Sequence, residues 1–265
     1  MCGAIHQEFE SPTLRNVKKV ILLNKKEGET PLEALECFRQ KSGSKYKDIK
    51  MTYAGRLDPM ASGLLLILLG EETKNKEKYL ALEKEYTFQV LFGFSTDTYD
   101  ILGKVIKREL VELSKRDLKK KIKENLKNFL GEIIQKYPMY SSKTVNGKPL
   151  FTYARMNKKV KIPEKKIFVK KIKLDKIVEI NNEKLLKNIE KRIKKVRGDF
   201  RQDEVLKIWK KELKLQKGKF YIANLKVKCS SGTYVRGIAN SLGNILDIGA
   251  LAFSIKRTKL GKYVI

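Results

Sequence analysis

Residues 54–63 read Ala54-Gly55-Arg56-Leu57-Asp58-Pro59-Met60-Ala61-Ser62-Gly63 and run directly into Leu64-Leu65-Leu66-Ile67-Leu68-Leu69. Pro59 disfavours helical backbone at Asp58, and the glycines at either end permit sharp turns. The segment therefore reads as a stiff, extended loop that offers one carboxylate, followed by an apolar run of strand length. A carboxylate held in this way suits nucleophilic, basic or charge-stabilising work at a sugar carbon. A plain Asp-Pro turn beside a strand has the same local spelling, so the loop alone does not decide between chemistry and architecture.

Outward from this loop, residues 19–24 (KVILLN) read as a short buried strand. Thr30-Pro31-Leu32-Glu33 is a capping box with proline at the first helical position, predicting a helix to about residue 40. Leu32, Leu35 and Phe38 would share its inner face, with Gly43 as the stop. Residues 51–63 show no periodicity. The alternation Tyr86, Phe88, Val90, Phe92 predicts a strand. Ser114 and Asp117 open a helix with Leu118, Ile122, Leu126 and Phe129 in one stripe, ended by Gly131. Residues 220–229 predict another strand, and Thr233 is the expected cap of a last helix with Ile238, Leu242 and Ile245 inward. Between these, residues 181–217 are highly charged and carry a weak helical period at Leu185, Ile189 and Ile193, which reads as a basic helical insert. The pattern predicts one α+β domain over residues 19–265, preceded by a flexible terminus at residues 1–18.

The 265 residues include 59 Lys plus Arg and 30 Asp plus Glu, a formal charge of +29, with 42% apolar residues. That apolar share supports a packed core and excludes intrinsic disorder as the main state. The longest apolar run, residues 64–69, is far short of the roughly 20 residues of a membrane span. The first 15 residues lack the basic-then-apolar order of a secretion signal, so a cytoplasmic protein with no membrane association is expected. Cys2, Cys37 and Cys229 form no paired motif and are expected to be reduced, with Cys37 and Cys229 as small core residues. His6 is the only histidine, and no phosphate-binding or dinucleotide-binding glycine motif occurs. Carboxylate, phenol and guanidinium groups are left to carry any chemistry. The surplus charge favours a polyanionic partner, with nucleic acid first. Ten basic residues stand against two acidic ones between Arg155 and Lys176, and six against Glu190 alone between Lys187 and Arg197.

Four segments, in order, carry a resemblance: residues 54–63 with the following LLLILLGEETK, residues 92–103 (FGFSTDTYDILG), the stretch from Tyr137-Pro138-Met139-Tyr140 through Lys143 to Ala154-Arg155, and Cys229-Ser230-Ser231-Gly232-Thr233-Tyr234-Val235-Arg236. Together they resemble the TruB family of tRNA pseudouridine synthases, over about residue 19 to the end, apart from the insert near 181–217. The resemblance implies the pseudouridine synthase fold, a mixed, mostly antiparallel sheet flanked by helices and loops. It implies isomerisation of uridine 55 in the TΨC loop of tRNA, without metal or other cofactor. It also implies a monomer that meets the T stem-loop with no obligatory protein partner. The C-terminal RNA-binding PUA module of many relatives is not expected here. The alternative within the same shape is a non-catalytic RNA-binding or tRNA-folding protein.

By this resemblance Asp58 is the catalytic carboxylate, whose role is attack at C1′, addition to the base, or initiation of elimination from the ribose. Arg236 would pair with it, offsetting the cost of desolvating a carboxylate. Tyr86 would stack on the extruded uracil near C5, and Tyr234 and Ile255 would line the same pocket. Extruding a stacked nucleotide costs a few kcal/mol, so phosphate contacts are expected from Arg56, Lys143, Lys148 and Arg155. Lys25 joins the substrate-binding set, at a turn where Lys26 replaces the family's proline. Tyr53 occupies the position of the family's histidine and would supply a ring for stacking, since a phenol is a poor acid–base group at neutral pH. The basic insert would add electrostatic attraction for RNA.

Overall fold

The computed structural model describes residues 19–215 and 218–265. The expected flexible terminus at 1–18, with Cys2 and His6, and residues 216–217 of the insert lie outside the described residues. Strand β1 (Val20–Lys25) leads to α1 (Pro31–Lys41). The Thr30 hydroxyl accepts from Glu33 N–H while the Glu33 carboxylate accepts from Thr30 N–H, completing the capping box. Residues 51–63 contain more order than expected. β2 (Met51–Ala54) and β3 (Ala61–Leu69) pair antiparallel, with the Asp58 loop as their connection.

There follow α2 (Lys76–Ala81), β4 (Lys84–Phe92), the ribbon β5 (Phe94–Thr96) and β6 (Val105–Arg108), α3 (Lys115–Asn125) and β7 (Gly131–Lys136). A small ribbon, β8 (Thr144–Val145) with β9 (Lys148–Pro149), precedes α4 (Leu150–Arg155). The long β10 (Glu164–Asn181) then enters the helical pair α5 (Asn182–Ile193) and α6 (Gln202–Leu215). The chain returns through β11 (Lys219–Cys229), α7 (Val235–Leu246), β12 (Ala250–Leu260) and β13 (Tyr263–Val264).

The main sheet has the order β1-β3-β12-β4-β11-β10-β7, with β2 added to β3 and β13 to β12. All pairings in it are antiparallel except β12 with β3, so the expected mixed, mostly antiparallel α+β architecture is the observed one. Tyr86, Phe88, Val90 and Phe92 of β4 face α3 and α7 in one apolar cluster, while Leu91 faces α5 and α6 in another. This division follows from the period of two along a strand.

Several local expectations are corrected. Leu32 is exposed because the inward stripe of α1 is Pro31, Ala34, Leu35 and Phe38. Ile245 is exposed because the stripe of α7 passes through Leu242 to Leu246. Thr233 does not cap α7; Tyr234 occupies the cap position with no side-chain bond, and the Thr233 hydroxyl donates to Ser230 O. Cys229 is a buried free thiol as expected, but Cys37 is half-buried rather than a core residue, because it lies beside the inward stripe of α1. The insert is helical as expected, yet it is no loose basic arm. Leu185, Ile189 and Ile193 of α5 and Val205, Trp209 and Leu213 of α6 are all buried in the same cluster as Phe94, Ile101 and Phe220.

Candidate active site

The β2–β3 loop is shaped by its surroundings. Gly55 has φ +79° and Gly63 φ +103°, conformations that favour glycine. A Cβ on Gly63 would stand 2.2 Å from the Arg257 carbonyl oxygen, so the strand can take only glycine at this point without moving. Beneath the loop, Arg257 is 1% exposed and donates to Leu64 O at 2.7 Å, Gly55 O at 3.1 Å and, weakly, Arg56 O at 3.5 Å. Leu57 and Met60 are buried on either side of Asp58. Ala61 N–H donates to Asp58 O and Gly28 N–H to Pro59 O, at 2.9 and 2.8 Å. The loop is rigid because its backbone is bonded from several directions.

Arg236, in the first turn of α7, is buried behind this loop. Its Nε donates to Asp58 Oδ2 at 2.8 Å and its Nη2 reaches Asp58 Oδ1 at 3.5 Å. The remaining donors bind Thr98 O at 2.7 Å and Tyr140 O at 2.8 Å. Burial opposes the charge on Arg236, yet Asp58 and Asp100 hold its pKa above the ordinary arginine value. Asp100 is pushed up to about 6 by burial, with Arg236 and the Thr98 hydroxyl acting the other way.

Tyr86, Ile255, Leu57 and Ala61 belong to one apolar cluster at this face of the sheet. Burial raises the Tyr86 phenol above its ordinary range, opposed chiefly by Arg257. Tyr86 thus offers a ring and a hydroxyl rather than a base at neutral pH. The Tyr234 ring stands 5.6 Å from the Arg236 guanidinium and edge-on to Tyr137, also at 5.6 Å. Gln135 fixes Tyr234 from both sides, accepting from its N–H at 2.8 Å and donating to its carbonyl at 3.0 Å. The Lys143 ammonium lies 5.5 Å above the Tyr137 ring and is exposed, as is Arg56. Arg155 is exposed at α4 and donates to Asp199 O at 2.8 Å.

Two residues stand apart from the expected roles. Lys25 is 1% exposed, and its ammonium donates to the carbonyls of Lys26, Glu29 and Ala61. Desolvation lowers its pKa to about 8, so it is charged at neutral pH and spends its three protons inside the protein. This corrects its assignment as a substrate contact: Lys25 staples the β1–α1 turn to the start of β3. Tyr53 pairs with Ile67 in β2, packs against the α1 cluster and lies 5.5 Å below the Lys76 ammonium. Among the described residues, no hydrogen bond or ring contact joins Tyr53 to Asp58, Tyr86 or Arg236.

Arg257, Asp100, Gln135 and Arg201 are the structurally decisive residues that the sequence did not single out. Arg201, from the insert, donates to Asp97 Oδ2 at 2.8 Å and to the Tyr140 hydroxyl at 2.6 Å. On the sheet's other face a groove of about 570 Å³ is lined by Lys171, Lys173, Lys226 and Lys228 with Glu85 and Thr87. The lysines of this groove place positive charge beside the strand that carries Tyr86.

The family model for the TruB pseudouridylate synthase N-terminal domain matches residues 41–200. The tRNA pseudouridine synthase B of Blochmanniella floridana is 32% identical over 256 residues, covering 97% of this chain and 81% of that protein. The synthase B of Wigglesworthia glossinidia brevipalpis is 33% identical over 251 residues, 94% of this chain and 62% of the relative's length. Among solved structures, a chain of a Cbf5-Nop10-Gar1 complex superimposes with TM-score 0.54 at 20% identity, over 92% of this chain and 50% of that one. A chain of an H/ACA RNP bound to a substrate RNA containing 2′-deoxyuridine gives TM-score 0.52 at 18% identity, over 92% and 48%. These solved chains share the fold, and this chain spans about half their length. On the family match and the relatives' identity over nearly its whole described length, the chain belongs to the TruB family of pseudouridylate synthases.

Proposed function

We propose that this protein isomerises a uridine of tRNA to pseudouridine, at position 55 in the T loop, with Asp58 as the catalytic carboxylate. The observation that carries the reading is the Asp58–Arg236 pair. A buried guanidinium grips one edge of a carboxylate whose side chain is still 37% exposed. A carboxylate fixed from behind and open in front can meet a ligand without first losing its partner. Tyr86 and Ile255 form an apolar surface beside Leu57, suited to the faces of a flat base.

The reaction breaks the C1′–N1 bond, turns the uracil within the site, joins C1′ to C5 and releases the C5 proton, while N1 takes up a proton in its place. It is an isomerisation with no net redox change. In this reading Asp58 meets the sugar–base unit, Arg236 keeps its orientation, and Tyr86 holds the detached ring. Tyr234 closes the side next to Arg236. Exposed Arg56, Lys143, Lys148 and Arg155 supply phosphate contacts that offset unstacking. The protein is proposed to act in the cytoplasm as a monomer, as one catalytic domain over residues 19–265, without cofactor or obligatory protein partner. The names of the relatives support tRNA as the substrate.

The test is to incubate the protein with an unmodified tRNA transcript and map pseudouridine by position. The expected result is product at position 55, lost by at least about 10³-fold in Asp58→Asn while tRNA still binds. Binding without product from the unaltered chain would overturn the reading in favour of a tRNA-folding protein.

A further inference from the structure

The α5–α6 pair reaches both partners of the Asp58–Arg236 contact through separate bonded routes. On the carboxylate side, Arg192 of α5 forms a two-point ion pair with Glu27, at 2.9 Å from Nε and 2.6 Å from Nη2. Its guanidinium also lies 4.7 Å over the Phe253 ring. One residue past Glu27, the Gly28 carbonyl accepts from Arg197 N–H at 3.3 Å. Gly28 has φ +96°, and a Cβ there would stand 2.6 Å from the Lys195 carbonyl oxygen. The Gly28 N–H in turn holds Pro59 O. Pro59 is the residue after Asp58.

On the guanidinium side the agent is Arg201. Its backbone has φ +63°, a left-handed conformation uncommon for a side-chain-bearing residue, and its carbonyl accepts the Val205 N–H that opens α6. Such a conformation persists where surrounding contacts fix it. Nη1 donates to Asp97 Oδ2 and to the Tyr140 hydroxyl, Nη2 reaches Asp97 Oδ1 at 3.3 Å, and the guanidinium lies 4.3 Å from the Tyr140 ring centre. Tyr140 and Thr98, the residue after Asp97, are the two whose carbonyls hold Arg236. Each carbonyl that fixes Arg236 is thus one residue or less from an Arg201 contact.

We propose that the α5–α6 insert is a positioning clamp on the Asp58–Arg236 pair, with Arg201 as its positioning residue. The inference deepens the reading of Asp58 as the reacting carboxylate and rests on it. It gives the insert a different task from attracting RNA by charge. Arg201 has its guanidinium engaged by Asp97 and Tyr140, with a side chain only 19% exposed, so it is not presented to a phosphate. Removing it leaves Asp97 to Lys104, whose N–H donates to Oδ1 at 2.9 Å, and takes the guanidinium donor from the Tyr140 hydroxyl, loosening the two carbonyls that aim Arg236. Displacement of catalytic geometry by as little as about 1 Å can cost on the order of 10²-fold in rate.

The experiment compares the full chain with Arg201→Met and Arg201→Lys in single-turnover conversion of an unmodified tRNA transcript. The tRNA dissociation constant is measured at two salt concentrations. Solvent exchange of the Arg236 Nε–H is followed by ¹⁵N NMR. For Arg201→Met the expected result is a rate loss of about 10- to 100-fold, with affinity and salt dependence within about twofold, and faster exchange at Arg236. Arg201→Lys keeps one charged donor without the two-pronged geometry and should recover part of the rate. A proportional loss of affinity with a flatter salt dependence would make Arg201 an RNA contact and overturn the clamp. Unchanged rate and unchanged exchange would do the same. If Arg201→Met does not fold, Tyr140→Phe, which deletes only the hydroxyl that accepts from Arg201, decides the question by the same two readouts. If the unaltered chain makes no pseudouridine, the uridine reading fails. The exchange rate at Arg236 still tests the clamp.

Discussion

Arg236 Nε donates to Asp58 Oδ2 at 2.8 Å across 178 residues of sequence, and the two side chains differ sharply in exposure, 3% for the arginine and 37% for the aspartate. The pair is a wall with one open side. Its buried member is the costly one to remove, because four oxygen atoms, both of Asp58 and the carbonyls of Thr98 and Tyr140, lose their donor at once.

Arg236→Met is accordingly expected to lower unfolding free energy by about 3 kcal/mol, the lower end for a broken buried pair because Asp58 retains partial solvation. Urea unfolding at neutral pH measures it. A change below about 1 kcal/mol would show that Thr98 O and Tyr140 O find other donors.

Asp100 gives a pH signature. Its folded pKa of about 6 lies above the roughly 3.9 of an unfolded aspartate, so between these values the folded state holds a proton the unfolded state has lost. This group's contribution to stability is complete below about pH 4, and is lost as pH rises through 6. The full effect is on the order of 3 kcal/mol. Asp100→Asn keeps an oxygen for Thr98 and Leu102 N–H and should flatten that part of the profile. Urea midpoints at several pH values between 4 and 7 test this, and an unaltered slope would rule Asp100 out.

Trp209 tests whether the insert is part of the core. It is fully buried, edge-on to Phe94 at 5.1 Å, and its indole N–H donates to Ile101 O at 3.0 Å. Trp209→Ala should cost about 3–5 kcal/mol. Charge reversal at exposed Lys191 on the same hairpin should stay within roughly 0.5 kcal/mol. Equal small effects from both would mean that α6 rests loosely on the sheet.

Elements whose local chemistry matches their environment were legible in the sequence. The capping box at Thr30, the alternation from Tyr86 and the stripe from Leu118 to Phe129 each report one buried face. β10 hid because bulges between Val169 and Lys171 and between Leu174 and Lys176 break its period of two. Its buried residues fall at Ile167, Val169, Ile172 and Ile177. β12 hid for another reason: Ala250 through Phe253 are all buried, so no alternation exists to read. At the site, Asp58, Tyr86, Tyr234, Arg236 and Ile255 came from motif resemblance rather than periodicity. Arg257, buried, and Arg201, half-buried, were invisible because an arginine engaged inside the protein is spelled like any other of the 59 basic residues. Lys25 shows the converse, a lysine whose apparent availability vanishes once its carbonyl partners fold around it.

The position of β12 bears on how the protein is made. β12 sits between β3 and β4 and meets β3 through only three register pairs, Ile255 with Ala61 to Arg257 with Gly63. During synthesis the ribosome delivers β3 (ending at Leu69) and β4 (ending at Phe92) early, and β12 only from Ala250 onward. Until then β4, whose partners β11 and β12 both come later, presents unpaired edges to any neighbouring polypeptide, and β3, its leucine run already covered by β1 and β2, leaves only Ala61 to Gly63 waiting. Yield in a cell should therefore depend on holdase chaperones and on translation speed through the middle of the message, rather than on the equilibrium stability of the finished molecule.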